Sequence, residues 1–299
     1  MAGPITTAQI DDAVEKTLAA SRYTMQERPA VVKGTMRQEN LPSGGGPSIN
    51  IPKYGTVTTY ALTEGVDMAQ AQQITDTLMT ITPSEYGAQV VLTDMMLLQS
   101  KDEFFAVAGR ILGESFTRQM DQVLCDDFAS HSLGVGSAGT SMTIGHVMAG
   151  ESSLTYNGPA NGSAGRGGEP ATGMIHAVQT PAALHTVRKG ISGAVSAIGA
   201  TTQADKPSVS NLTTDFMIGG VRVHSDINIS KDTSDDAIGI IRAEDADIFV
   251  SHGGGPSAER ERDASLRAWE VNYVGRWARG EYDDNWGRFA TFDSALPVS

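Results

Sequence analysis

The chain has 299 residues, 22 basic against 35 acidic, for a formal net charge of −13; 40% is hydrophobic, 6% aromatic, 19% charged, and 33 residues are glycine. That apolar content excludes a disordered chain and suffices for one large core or two modest ones, while no run approaches the ~20 apolar residues of a membrane span. The single cysteine, Cys125, excludes a disulfide framework or multi-cysteine zinc site, and the acidic balance excludes a reader of duplex DNA.

The opening, MAGPITTAQIDDAVEK, lacks the basic-then-apolar layout of a signal peptide. Ile10, Ala13, Val14, Thr17 and Leu18 recur at helical spacing behind a capping Thr7. Residues 27–53 then carry four prolines, the triplet Gly44–Gly46 and isolated apolar residues such as Val31, Val32, Leu41 and Ile51. Such a stretch builds no core of its own and is expected to lie on another surface, most simply that of other subunits. Residues 55–80 read as two strands, Val57-Thr59-Ala61 and Ile74–Met79, joined by a polar tip at Thr63–Asp67. This hairpin is poor in large apolar groups and buries little against its own body. Tyr86–Thr93 is β-rich and ends at Asp94, expected to cap a helix.

The strongest local pattern runs from Asp102 to about His131. It holds no proline, and Phe105, Ala108, Leu112, Phe116, Met120, Val123, Leu124 and Phe128 keep to one face. Asp102 and Glu103 favour its N-terminus. Cys125 falls on the apolar side and reads as a buried thiol. A shorter helix is expected over 141–154, a Gly-rich loop over 157–170, and a strand over 174–179. A second helix starts at Thr180-Pro181 and is expected to end at Lys189-Gly190. A Ser/Thr-rich loop (192–214) and strands at 216–224 and 238–250 follow, split by a turn at 231–236. Trp269, Val271, Tyr273, Gly275 and Trp277 share one parity and Glu270, Asn272 and Arg276 the other, which predicts a long half-buried strand. Asp283-Asp284-Asn285 turns the chain into Trp286–Phe292, so the last strand pair carries all three tryptophans and is expected to form a local core.

No motif assembles a catalytic, cofactor-binding or metal-ligating set. Gly134–Gly139 satisfies G-x-G-x-x-G but closes a helix, where a dinucleotide fingerprint must open one. His252–Gly255 is similar to an esterase oxyanion motif, yet the chain lacks any G-x-S-x-G elbow and the segment reads as a flexible turn. The six histidines show no ligand spacing, and residues 226–236 lack a calcium-loop frame.

The order of parts is distinctive: arm, projecting hairpin, strand, long helix, inserted α/β region, returning strand pair. It resembles the major capsid protein of tailed bacteriophages, an α+β, Hong Kong 97-type fold. The residues that carry the likeness are I-N-I-P-K-Y (Ile49–Tyr54) with A-L-T-E-G-V-D (Ala61–Asp67), I-T-P-S-E-Y-G-A-Q-V-V-L-T-D (Ile81–Asp94), A-V-Q-T-P-A-A-L-H-T-V-R-K (Ala177–Lys189) and W-E-V-N-Y-V-G-R-W-A-R-G (Trp269–Gly280). The resemblance implies an N-terminal helix and arm over 1–49 and an extended loop over 50–80. It implies a peripheral domain over 81–133 and 251–299 with a spine helix at 102–132, and an axial domain over 134–250. It implies a structural subunit, not an enzyme, that assembles into hexamers and pentamers of an icosahedral shell. Arg28, Arg37, Tyr54, Glu64, Asp67, Trp277 and Arg279 are the expected contacts between subunits. The implied partners are further copies of the chain, a portal protein at one vertex, separate scaffolding and decoration proteins, and packaged double-stranded DNA held without sequence-specific binding; no membrane and no cofactor is implied. The implied location is the virion, assembled in the cytoplasm of a bacterial host, with the acidic residues of 54–258 forming walls that do not adhere to DNA.

Two other readings predict different observations. An encapsulin-type compartment keeps the fold but houses a cargo enzyme, and a hydrolase built on His252–Gly255 would lose ester hydrolysis on mutation of His252. One departure from the family bears on chemistry. Some members crosslink a loop lysine to a neighbour's asparagine, but no lysine lies between Lys53 and Lys101 here. The assembled protein is therefore expected to run as a single intact subunit band after boiling in SDS; a ladder of covalent oligomers would refute this.

Overall fold

The computed structural model describes residue 31 and residues 35–42, 44–55, 57, 59–68, 71–99, 104–156, 170–197 and 215–297. The expected N-terminal helix, Arg28, most of the arm before residue 35, and the loops at 157–169 and 198–214 lie outside these.

Two sheets and a separate hairpin organise the chain. The first sheet has the order β1-β10-β11-β4. Its strand β1 (Arg37–Leu41) runs parallel to β10 (Asp247–Asp263), which pairs antiparallel with β11 (Ala268–Glu281), which in turn pairs with β4 (Ser84–Thr93). Helix α1 (Asp94–Gln99) follows β4 directly. The residue that caps it is Thr93, whose hydroxyl accepts from the Met96 amide, while Asp94 sits inside the first turn. Helix α2 (Phe104–Asp126) is the long helix, continued by a 3-10 turn at Asp127–Ser130. At ~1.5 Å per residue it is a rod of roughly 35 Å. The expected apolar face is the buried one. Ala108 and Leu112 pack with Leu92, Met96 and Val271, and Phe116 meets the edges of Tyr273 and Trp277 at 5.0 and 4.8 Å.

The second sheet has the order β5-β12-β9-β6-β8-β7, from β5 (Gly134–Gly136), β12 (Gly287–Asp293), β9 (Asp236–Ala243), β6 (Ile175–Gln179), β8 (Val221–Ser225) and β7 (Asp215–Ile218). Its two faces are both covered. Helices α3 (Ile144–Tyr156) and α4 (Pro181–Ala197) close one face through Val147, Leu154, Leu184 and Val187 against Val221, Val223 and Ile241. The end of α2 closes the other through Leu124, Cys125 and Phe128 against Val178 and Ile240. Burial on both faces of the sheet fits the continuous apolar run Ala237–Ile241, in which Ile238 alone is exposed.

Several expectations change. Helix α4 passes through Gly190 to Ala197, because Ile191 extends the face begun by Leu184 and Val187 and packs on the same core. The stretch 216–224 is a hairpin, β7 and β8, reversed at Gly219-Gly220. His252–Gly255 is no free turn: it lies inside β10 at a bulge between His252 and Ser257, where Gly253 takes φ +75°. The strand pair expected to share three tryptophans is split between sheets, since β11 belongs to the first and β12 to the second. Residues 287–293 therefore belong to the sheet of β9 and β6, not to that of β11. Trp277 joins the α2 core, Trp286 packs with Ala243 and Ala246, and Trp269 lies under Arg260 and Arg262.

The tightest backbone approach is at Gly239. A Cβ there would stand 2.3 Å from the Val178 carbonyl oxygen of the neighbouring strand. A backbone atom in a central ladder cannot yield, so Gly239→Ala is expected to lower stability by about 1–3 kcal/mol, read as a fall in the thermal midpoint. An unchanged midpoint would mean that β6 and β9 can part at that point.

Candidate assembly surfaces

The hairpin is built differently from its sequence expectation. The ladder uses β2 (Ile49–Tyr54) and β3 (Asp76–Ile81), with Ile49 opposite Ile81 and Tyr54 opposite Asp76. Pro52 is tolerated because a two-stranded ribbon leaves one strand side free of ladder bonds. The last cross-link is the Gly55 amide on the Thr75 carbonyl at 2.7 Å. Among the described residues, Val57 and Thr59–Ala61, expected as strand, form no ladder, and the chain turns at Thr63–Val66, with Gly65 at φ +80°. At its root, Ile81 and Ile49 pack with Leu41, Ile248 and Val250. Lys53 fastens the root by pairing with Asp283 and lying over Tyr282 and Trp286 at 5.7 and 6.0 Å.

Beyond that root the loop carries apolar side chains into solvent. Tyr60, Leu62, Val66, Met68 and Ile74 line one concavity, and all are more than half exposed, Met68 at 71%. A contiguous apolar surface of this kind marks an interaction site in a folded protein. A second exposed apolar pair, Met95 and Leu98, lies on α1, Leu98 at 82% exposure.

The expected contact residues divide sharply. Tyr54, Glu64 and Asp67 are exposed on the hairpin and its loop. Arg37 is exposed on the edge strand β1 and pairs with Glu39 of the same strand at 2.6 Å. Trp277 and Arg279 are instead interior residues of the subunit. Trp277 is 3% exposed and stacked on Tyr86 with centroids 4.0 Å apart. The strand parity that buries it was readable in the sequence.

Arg279 belongs to a buried charge network that sequence reasoning missed. Asp247 accepts from Arg242 Nη1 through Oδ2 at 2.5 Å and from Arg279 Nη2 through Oδ1 at 2.6 Å. Arg242 also donates to the Thr35 hydroxyl at 2.8 Å, and Arg279 reaches Asp127 at 2.7 Å. Burial alone would raise the Asp247 carboxyl, but Arg242, the hydrogen bond from His131 and Arg279 outweigh it and hold the group well below the usual carboxylate range. Arg242 ends β9, Asp247 begins β10 and Arg279 lies on β11, so one carboxylate joins the two sheets. The available signal was an arginine closing the apolar run Ala237–Ile241, a charge that such a strand buries only with a partner.

Two other buried groups carry no surface. Cys125 is 4% exposed and burial, then Asp121 and Asp226, push its thiol far up, so it is no nucleophile at neutral pH. His176 on β6 stacks on His224 of β8, with Nδ1 and Nε2 3.0 Å apart, and lies in register with Arg222 and Arg242. Burial, followed by His224, Arg242 and Arg222, lowers its pKa to about 4. The unfolded chain takes up a proton near pH 6.5 that the folded chain refuses until about pH 4. Stability is therefore expected to fall as pH drops from 6.5 to 4, by up to about 3 kcal/mol, and His176→Gln should flatten that part of a urea-unfolding series. A slope unchanged by the substitution would assign the loss to other groups.

No helix among the described residues is long and apolar enough to cross a membrane. No family model matches the chain, and no curated protein matches it. Solved structures do. The capsid of Ralstonia phage GP4 aligns over 99% of this chain and 100% of its own at 11% identity and a TM-score of 0.68. The head of Helicobacter pylori bacteriophage KHP40 aligns over 97% and 98% at 8% identity and 0.68. The capsid of cyanophage P-SCSP1u aligns over 96% and 95% at 11% identity and 0.64. What survives at such low identity is the path of the backbone, through both sheets, the long helix and the projecting hairpin: the chain has the α+β, Hong Kong 97-type fold of tailed-phage capsid proteins.

Proposed function

We propose that this chain is the major capsid protein of a tailed bacteriophage, a structural subunit with no catalytic role. Copies assemble into hexamers and pentamers of an icosahedral shell that encloses double-stranded DNA. The observation that carries the reading is the pairing of a capsid fold over the full chain with a loop whose apolar residues its own subunit leaves in solvent. In a shell each subunit extends that loop over a neighbour and receives another, so many weak contacts add around a closed surface. Arg37, Tyr54, Glu64 and Asp67 are the contact residues this reading retains, and Arg28 is a further one on the arm. The net charge of −13 suits walls that lie beside packaged DNA without adhering to it. A portal protein, scaffolding and decoration proteins are the further partners, and assembly takes place in the bacterial cytoplasm before the shell becomes part of the virion.

Negative-stain electron microscopy of the expressed protein tests this. Closed shells of uniform diameter are expected, alone or with a co-expressed scaffolding protein. Particles no larger than a few subunits under both conditions would reject the reading. An encapsulin-type shell is not favoured, because the structures matched above are phage heads and capsids; shells that copurify with an enzyme would revive it.

A further inference from the structure

His131 is the first residue after the 3-10 turn that ends α2, and its side chain is fully buried. Its ring is held on two sides. Gly287 packs against it so closely that a Cβ there would stand 2.2 Å from the ring. Its Nε2 faces the Asp247 carboxylate at 3.4 Å. Arg279 Nη2 is equally near that nitrogen, but it already donates to Asp247 Oδ1 at 2.6 Å. An ionised carboxylate only accepts, so the proton of a neutral ring sits on Nε2 and the lone pair is on Nδ1. Nδ1 is buried and makes no hydrogen bond among the described residues. It points to Asp284 Oδ1, 3.7 Å away and beyond hydrogen-bonding reach. Glu281 completes the group: one ligand atom from each of His131, Glu281 and Asp284 lies within 4.8 Å of the others.

We propose that His131 Nδ1, Glu281 and Asp284 bind a divalent transition-metal ion of the zinc class. One imidazole nitrogen with two carboxylate oxygens is a donor set for such ions, and a water fills the remaining position on the solvent side. The surroundings already orient each ligand. Asp247 behind the ring is the carboxylate that fixes a metal-binding histidine in a carboxylate–histidine–metal arrangement. Ser132 donates its amide to Asp284 Oδ1 at 2.7 Å and its hydroxyl to Oδ2, and Ser130 donates to Glu281 Oε2 at 3.2 Å. Ligand atoms around a tetrahedral zinc stand roughly 3.3 Å apart at bonds of ~2.0–2.1 Å. From spacings within 4.8 Å, the ligand atoms must close by about 1.5 Å at most to reach that geometry, which the half-exposed Glu281 and Asp284 side chains can supply. The three ligands come from the end of α2, the end of β11 and the approach to β12, so the ion would tie the long helix to the crossing between the two sheets. His131 lies 150 residues before Glu281, one less than the Ser130–Glu281 separation of 151, which is why no histidine spacing revealed the site.

The test uses the full-length protein, stripped with chelator and titrated with Zn²⁺ alone. Glu281→Gln and Asp284→Asn preserve shape and the serine contacts, so the fold is checked by circular dichroism in each. Wild-type protein is expected to retain about one zinc per subunit after dialysis, with a raised thermal midpoint. Each variant is expected to bind zinc at least roughly tenfold more weakly and to lose the midpoint shift. A Co²⁺-loaded sample should show visible ligand-field bands that both variants abolish. If one variant misfolds, the other decides. No zinc retained by the wild type, uptake of calcium but not zinc, or retention unchanged in folded variants would each overturn the assignment.

Discussion

Asp247→Asn is expected to cost the subunit about 3–5 kcal/mol of folding stability, the loss that follows removal of one partner from a buried ion pair. The carboxylate serves two guanidiniums at once. Arg242 is fully buried and has no route to water, and Arg279 is nearly so. Removing the negative charge leaves both cations in the interior with only neutral partners and Asp127. Arg242→Met should be milder, because Asp247 then keeps Arg279 and the His131 ring. Urea unfolding of the dissociated subunit measures both, and the order of the two losses is the decisive result. Equal losses would mean that the Asp247–Arg279 pair adds nothing to stability. The same carboxyl sets an acid limit. Its folded pKa lies below the unfolded value, so its contribution is complete above about pH 4 and disappears as pH falls through the folded value. Asp247→Asn should remove that component of acid unfolding.

The second large effect is on assembly and leaves the subunit intact. Leu62→Asp or Val66→Asp places a charge on a loop that contributes nothing to the subunit's own core. Urea midpoints should therefore match wild type within error. Each subunit would lose one buried apolar side chain as donor, worth about 1.5–3 kcal/mol. That raises the protein concentration needed for shells by roughly 10–100-fold. Light scattering against concentration reads the threshold, and Glu64→Gln at the exposed turn is the gentler comparison. A wild-type threshold in both aspartate variants would remove the loop from the shell contacts.

Legibility in the sequence followed the range of the interactions. The face of α2, the parity of β11 and the Thr180-Pro181 start of α4 depend on neighbours within a few residues, and each was readable. The hairpin was placed at the right site with the wrong rungs, because Val57, Thr59 and Ala61 alternate as a strand would while the ladder partners of Ile49–Tyr54 lie at Asp76–Ile81. Sheet membership was not readable at all for β12, which is adjacent to β11 in sequence but pairs with β9 and β5. In the buried network Arg242 and Asp247 are only five positions apart, but Thr35 joins Arg242 from 207 positions away, and His131 meets Glu281 and Asp284 from about 150; no local pattern encodes the long-range meetings. Trp277 and Arg279 show the cost of that blindness: an aromatic and a cation near the chain's end resemble an interface until their partners are seen.

The pairing of β1 with β10 also fixes a timetable. Arg37–Leu41 lies beside Ile248–His252, and Asn40 meets Ser251 across 211 residues of chain. At ~5–20 residues per second, β1 waits roughly 10–40 s after synthesis before its partner strand exists. β10 in turn needs β11 on its other side. A nascent chain can therefore complete the spine helix and the hairpin while the edge that anchors the arm is still missing. Closure of that edge is postponed until the last fifth of the polypeptide has been made, so a chain cut short before residue 247 leaves Arg37–Leu41 without the strand it pairs with.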